Sequence, residues 1–187
     1  SAIIAAYYGA GLDTAGLAIG VKGVGAGNMV GGIANVFFER MPVVCVFESG
    51  STESNVDLVQ VADHSAMFGS ITKSYNVLER STANDTLRDA IALATDGRNG
   101  PVALDFPSNF DDGDCGELPV QPSRYVEASP NSDFLKRAQT LIDRSTRPLV
   151  VVGADVAMTG ATDDLLTFVE GIGGTVISNM NARGIFP

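Results

Sequence analysis

Two apolar runs, PVVCVF (42–47) and PVALDF (101–106), limit what this chain can fold into more than any other feature. Each has strand length and neither alternates polar with apolar residues, the pattern of a parallel strand covered on both faces. Helical patterns lie between and around them. Met29, Ile33, Val36 and Phe37 recur on one face of a 3.6-residue repeat. Leu87, Ala90, Ile91 and Ala94 do the same behind a cap at Ser81 or Thr82, in a helix that ends between Gly97 and Gly100. Strand–helix alternation of this kind predicts an α/β chain: a mostly parallel sheet with helices on both faces.

The remaining segments fit that frame. Residues 1–10 read as a buried helix stopped at Gly9 and Gly11, and 16–22 as a strand running into the glycine loop GVGAGN (23–28). Gly31 and Gly32 lower helix propensity in the helix that follows, so close backbone packing is expected there. A polar loop (49–58), a short helix (about 60–68) and an extended stretch (71–78) come next. Pro107, and beyond it Pro119, Pro122 and Pro130 with the acidic cluster DDGD (111–114), then mark a linker, placed over 111–131. Beyond it lie a helix (132–144) with Phe134, Leu135, Ala138, Leu141 and Ile142 on its inner side, and a strand (148–153). A helix capped near Thr162 and Asp163 and a strand (175–178) complete the chain. Two strands and two helices are too few for an independent α/β core, so the second domain is expected to be partial.

Charge and cysteine content narrow the function. The 187 residues carry 22 acidic and 12 basic side chains, for a net charge of −10, with no Lys/Arg-rich run. That argues against a nucleic-acid or anionic-lipid surface. The uncharged opening SAIIAAYYGAGL lacks a basic flank and is too short for a membrane span; it reads as a helix entered part-way. Cys45, Cys115 and the single histidine, His64, have no metal-ligand spacing, and a reducing, cytoplasmic setting is the simplest expectation. Cys45 reads as a small buried hydrophobe. His64 admits a catalytic role, because an unperturbed imidazole titrates near neutrality, or a packed or surface position. Lys73 and Tyr75 read as structural.

The glycine loop carries the most chemistry. Glycines let backbone approach a ligand, and the helix N-terminus beyond offers free N–H groups. A tight turn with no ligand explains it equally well. A dinucleotide fingerprint would use Gly23 and Gly25 with Glu48 as the ribose acid, but Asn28 stands at the third glycine position. A phosphate-binding loop is excluded, since no Gly-Lys-Ser/Thr follows.

A larger pattern surrounds the loop. GVGAGNMVGGIANVFFERMPVVCV (23–46), VQVADHSAMFGSITKSYNV (59–77), TDGRNGPVALDFPSNF (95–110) and the stretch from RPLVVVGADV to Pro187 follow one another in order. These blocks resemble thiamine-diphosphate-dependent enzymes such as acetolactate synthase, the 2-oxo acid decarboxylases and sulfoacetaldehyde acetyltransferase. The resemblance implies a pyrimidine-binding domain lacking its first strand (1–110), the linker (111–131) and the N-terminal part of a central domain (132–187). It implies thiamine diphosphate and Mg²⁺ as cofactors, with FAD also possible on the central domain. It implies a homo-oligomer with the cofactor between subunits, and a 2-oxo acid substrate.

Residue by residue, the resemblance places Gly23, Val24 and Gly25 against the pyrimidine and Asn28 facing the cofactor. It brings Gln60, the Gln of the family's F-Q-E motif, to the reacting end of the site as the catalytic candidate. An exposed loop amide is the other reading of Gln60, and Val59 and Val61 depart from the motif. The family's catalytic glutamate would fall just before Ser1, and its Gly-Asp-Gly metal motif lies in a domain these residues do not include. Gly113-Asp114-Cys115 is no substitute for it, so these residues alone are expected to be inactive. The loop 50–58 has no adjacent His pair of the pyruvate-decarboxylase kind, which disfavours simple pyruvate decarboxylation relative to carboligase or acyltransferase chemistry. A nucleotide-binding module and a non-catalytic homologue are the alternatives.

Overall fold

A computed structural model describes residues 1–51, 59–110 and 129–186. The chain forms two compact units, Ser1–Val126 and Glu127–Pro187. The first is built on four parallel strands: β1 (Gly16–Gly20), β2 (Val43–Ser49), β3 (Ser74–Val77) and β4 (Pro101–Pro107), in the order β1-β2-β4-β3. Ala18 lies opposite Cys45, and Cys45 opposite Ala103.

Alternate residues of these strands feed two separate cores, because side chains point to opposite faces with period two. Val43, Cys45, Phe47 and Ala103 pack under helices α1 (Ala2–Ala10), α2 (Val24–Phe38) and α3 (His64–Phe68). Val44, Val46, Val102 and Leu104 pack under α4 (Ala83–Thr95) through Ala90 and Ala94. The sheet is parallel with helices on both faces, as its apolar runs require. Lys73 closes the end of α4: its Nζ donates to the carbonyls of Leu93 and Asp96, and desolvation holds its pKa below the usual lysine value. The last turn of a helix leaves carbonyls that a cation satisfies well.

The second unit runs α5 (Ser132–Asp143), β5 (Leu149–Val152), α6 (Asp155–Met158), α7 (Thr162–Ile172) and β6 (Thr175–Ser178), with β5 and β6 paired in parallel. Asn131 caps α5, its side chain accepting from the N–H groups of Asp133 and Phe134 at 2.8 and 3.4 Å. Thr162 is the first residue of α7 and not its cap; Asp163 and Asp164 supply negative charge to the first turn instead.

Several expectations give way. The first helix is buried only along Ala2, Ala6 and Gly9, while Ile4 and Tyr8 are 75% and 71% exposed. An all-apolar helix has no pattern from which to read its buried side. β1 ends at Gly20, and the loop expected over 23–28 is reduced to Gly23 because α2 already begins at Val24. Of the expected inner stripe of α4, Ala90 and Ala94 are buried but Ile91 is exposed. The stripe on α5 is exposed as well, Phe134 and Leu141 each at 70%. Of the adjacent pair Gly31 and Gly32 within α2, Gly32 faces α1 near Ala2 and Ile3, while Gly31 meets open space. The acidic cluster 111–114, Cys115 and most of the polar loop and linker lie outside the described residues.

Candidate functional site

At the carboxyl end of β1 the chain turns through Lys22 and Gly23 into α2. Gly23 has φ +59° and ψ −93°, a conformation that L side chains rarely adopt. A Cβ built on it would lie 2.1 Å from the carbonyl oxygen of Gln60. The position therefore accepts glycine alone, for reasons internal to the fold. Gly25 is similarly confined by Val21, whose Cγ2 would lie 2.7 Å from an added Cβ.

Gln60 itself has φ +58°, unusual for a residue with a side chain, and its side chain is exposed. The fold thus presses the 59–61 segment onto the glycine turn and brings two of the sequence-identified residues together. Val24 and Gly25 form the first turn of α2, whose opening N–H groups have no intrahelical acceptor. The Ala26 N–H finds an acceptor outside the helix, the carbonyl of Val21, at 3.0 Å. Asn28 sits one turn further along α2 and is exposed. Val24, Val59 and Val61 add exposed apolar surface beside Gly23.

Beneath the turn lies a buried polar group that the sequence reading missed in part. His64, 2% exposed, accepts the Gly23 N–H on Nε2 at 3.1 Å. Its Nδ1 meets both carboxylate oxygens of Asp105 at 2.8 and 3.0 Å. The hydroxyl of Tyr75 donates to Oδ2 of Asp105 at 2.7 Å. Burial and the adjacent Asp105 carboxylate push the Tyr75 phenol pKa well above its usual value. The rings of Phe47 and Phe68 flank His64, at 5.7 and 6.0 Å between centroids. Of the two readings of His64, the structure selects the packed one, hydrogen-bonded at both nitrogens. Asp105 was visible in the sequence as the one charged residue inside an apolar strand, since a buried carboxylate needs donors. Period-two alternation puts it on the same face as Ala103, under α3.

The loop before α3 is fixed by Asp63. Its carboxylate accepts from the Ser65 hydroxyl at 2.6 Å and the Ala66 N–H at 3.0 Å. The Ser65 hydrogen bond, with the Ala66 N–H second, lowers its pKa. Glu48, the acid a dinucleotide site would use, lies 3.6 Å from the ammonium of Lys22. Cys45 is a free, buried thiol whose pKa burial pushes up to about 12. Among the described residues no cluster of three His, Cys, Asp or Glu side chains could hold a metal ion. Nor is any helix there long and apolar enough to cross a membrane.

No family model matches the chain. It is similar to curated acetolactate synthases. A Methanocaldococcus jannaschii protein named "Probable acetolactate synthase large subunit" is 30% identical over 184 residues, 92% of this chain and 31% of that protein. The acetolactate synthase of Mycobacterium bovis is 31% identical over 179 residues, 92% of this chain and 29% of that protein. "Acetolactate synthase 2, chloroplastic" of Zea mays is 28% identical over 196 residues, 100% of this chain and 30% of that protein. The chain spans about three tenths of the length of these relatives. In sequence it is acetolactate-synthase-like.

Proposed function

We propose that these residues are part of a thiamine-diphosphate-dependent carboligase that joins an acyl group from a 2-oxo acid to a carbonyl acceptor, in the manner of acetolactate synthase. The similarity along 92% of the chain carries this reading. The site agrees with it on chemistry. The strand-to-helix turn at Gly23 presents backbone and a helix N-terminus, flanked by exposed Val24, Val59 and Val61. A flat, partly apolar ring with hydrogen-bonding nitrogens suits such a surface. In this reading 1–110 is the pyrimidine-binding domain lacking its first strand, 111–131 the linker, and 132–187 the N-terminal part of the central domain.

Gly23, Val24 and Gly25 would hold the aminopyrimidine, with Asn28 beside it on α2. Gln60, anchored against Gly23, would present its amide to substrate as the catalytic candidate. Thiamine diphosphate with Mg²⁺, when bound, supplies the electron sink that lets a 2-oxo acid lose its carboxylate. The work of this chain's residues is to bind and orient, which is worth rate only where the geometry is tight. A homo-oligomer belongs to the same proposal. The exposed face of α2 supports it, where Val24, Asn28, Gly31, Asn35 and Phe38 lie uncovered. A cytoplasmic setting, in which the free Cys45 thiol stays reduced, also belongs to the proposal. FAD on the central domain would register as a flavin chromophore in the purified protein.

A dinucleotide site is the second reading, through Gly23, Gly25 and Glu48. Two observations weigh against it. Among the described residues β1 pairs with β2 alone, at the sheet edge, whereas the dinucleotide fold keeps its first strand in the middle of the sheet. Glu48 also faces Lys22. Calorimetric titration of the intact protein with thiamine diphosphate plus Mg²⁺, and separately with NAD, tests the pair. Saturable thiamine diphosphate binding together with acetolactate formation from pyruvate is the expected outcome. NAD binding alone would replace the proposal with the second reading, and cofactor binding without turnover would make the protein a non-catalytic homologue.

Gln60→Ala is expected to lower kcat by about tenfold or more while leaving cofactor affinity within about twofold, as removal of a group used in the reaction should. Steady-state kinetics on the intact protein measure it. Unchanged kcat would make Gln60 an exposed loop amide only.

A further inference from the structure

The geometry points to His64 as a positioning residue of the glycine turn: locked as one tautomer by Asp105 and Tyr75, it holds the Gly23 N–H and thereby sets where α2 begins. An N–H can donate only to a bare nitrogen, so the Gly23 contact requires Nε2 to carry no hydrogen. In the neutral ring the hydrogen then sits on Nδ1, pointing at the Asp105 carboxylate. The Tyr75 hydroxyl donates to the same carboxylate and helps keep it an acceptor. Each partner specifies the next one's role, and the chain of donors runs one way: Gly23 to His64, His64 to Asp105, Tyr75 to Asp105.

This arrangement acts on the site and not only on the core. His64 lies 41 residues beyond Gly23 in sequence, and Asp105 another 41 beyond His64. The relay therefore ties the strand-to-helix turn to α3 and to the middle of the sheet. The Gly23 N–H belongs to the Lys22–Gly23 peptide, and Gly23 is the residue whose φ and ψ lead into α2, so holding it helps set the direction of the first free N–H groups of that helix. The same turn of chain that delivers His64 also delivers Gln60, whose carbonyl packs on Gly23. With Phe47 and Phe68 against the imidazole, the ring cannot turn over without giving up both hydrogen bonds.

The consequence for cofactor affinity rests on the function proposed above; the consequence for the backbone does not. Two substitutions separate the two ends of the imidazole. In His64→Gln an amide oxygen reaches the place of Nε2 and still accepts from Gly23, at the expense of Asp105. In His64→Asn the amide reaches only the place of Nδ1, keeping Asp105 and abandoning Gly23.

Hydrogen exchange by mass spectrometry on the intact protein reads the peptide covering 20–28. His64→Asn is expected to speed its exchange about tenfold, and His64→Gln to stay near wild type, one hydrogen bond being worth about that ratio. Thiamine diphosphate affinity should fall in His64→Asn and recover in His64→Gln. Equal exchange in the two variants, or exchange at the wild-type rate in both, overturns the assignment. Tyr75→Phe leaves the ring in place and provides the same readout should either variant fail to fold. A rise of about two- to fivefold in the same peptide is expected, and no change overturns the relay. Failure of the wild-type protein to bind thiamine diphosphate would remove the proposed function while the exchange comparison still decides the role of His64.

Discussion

At Gly23 a positive φ and the approach of the Gln60 carbonyl act together, so an added methyl group meets both backbone strain and a clash. Gly23→Ala is expected to destabilise the fold by about 2–4 kcal/mol. A shift of the denaturant midpoint to lower concentration, with unchanged slope, would register it. Cys45 offers a pH-dependent test. Its native thiol titrates at about 12, whereas an unfolded thiol titrates near ~8.5. A pKa raised in the fold contributes stability that is complete below ~8.5 and is lost as pH climbs towards about 12. At pH ~8 the Cys45 peptide should resist iodoacetamide in native protein and react once denaturant is added; prompt native labelling would contradict its burial. Of the residues that matter here, Cys45, Lys73 and Tyr75 were legible from their sequence neighbours as structural. Gly23 was legible from the glycine loop itself, Gln60 only through resemblance. Their mutual contact depends on a loop path that no local pattern encodes.

At the level of elements, α1 reaches the sheet through glycine. A Cβ on Gly16 would fall 1.9 Å from the carbonyl oxygen of Ala5, and one on Gly9 would fall 2.2 Å from the backbone nitrogen of Gly16. Gly16→Ala should therefore push α1 off β1 at a cost of about 3 kcal/mol, measurable by chemical denaturation. Lys73→Met removes the cation that closes α4 while keeping the aliphatic stem over Gly100. A loss of about 1–2 kcal/mol is expected, with faster hydrogen exchange confined to the last turn of α4. Element type and order followed from periodicity, since β2, β4, α4 and α5 sit within a residue or two of their expected ends. Orientation did not follow where a helix lacks a polar face, as in α1, and the apolar stripe of α5 is left exposed at Phe134 and Leu141.

For the whole molecule, assembly is the property that the described surface bears on most directly. A Cβ on Gly31 meets nothing within 4 Å, so a larger residue is harmless to the isolated chain and improves helix propensity by up to about 1 kcal/mol. If α2 lies at a subunit contact, Gly31→Leu should shift the intact protein to smaller species in sedimentation velocity; an unchanged assembly would place the contact on another surface. The sequence by itself determined a parallel sheet sandwiched by helices, because unbroken apolar runs are stable only when both faces are covered. It also determined which segment turns sharply into a helix, because only glycine tolerates that backbone. The tertiary structure alone decided which atoms meet at that turn. Gly23, His64 and Asp105 come from three segments distant in sequence, and their hydrogen bonds exist only once α3 lies across the sheet. A lone histidine in a sequence has two tautomers and many possible neighbours. The fold supplies one donor on one side and one carboxylate on the other, and that fixes its role.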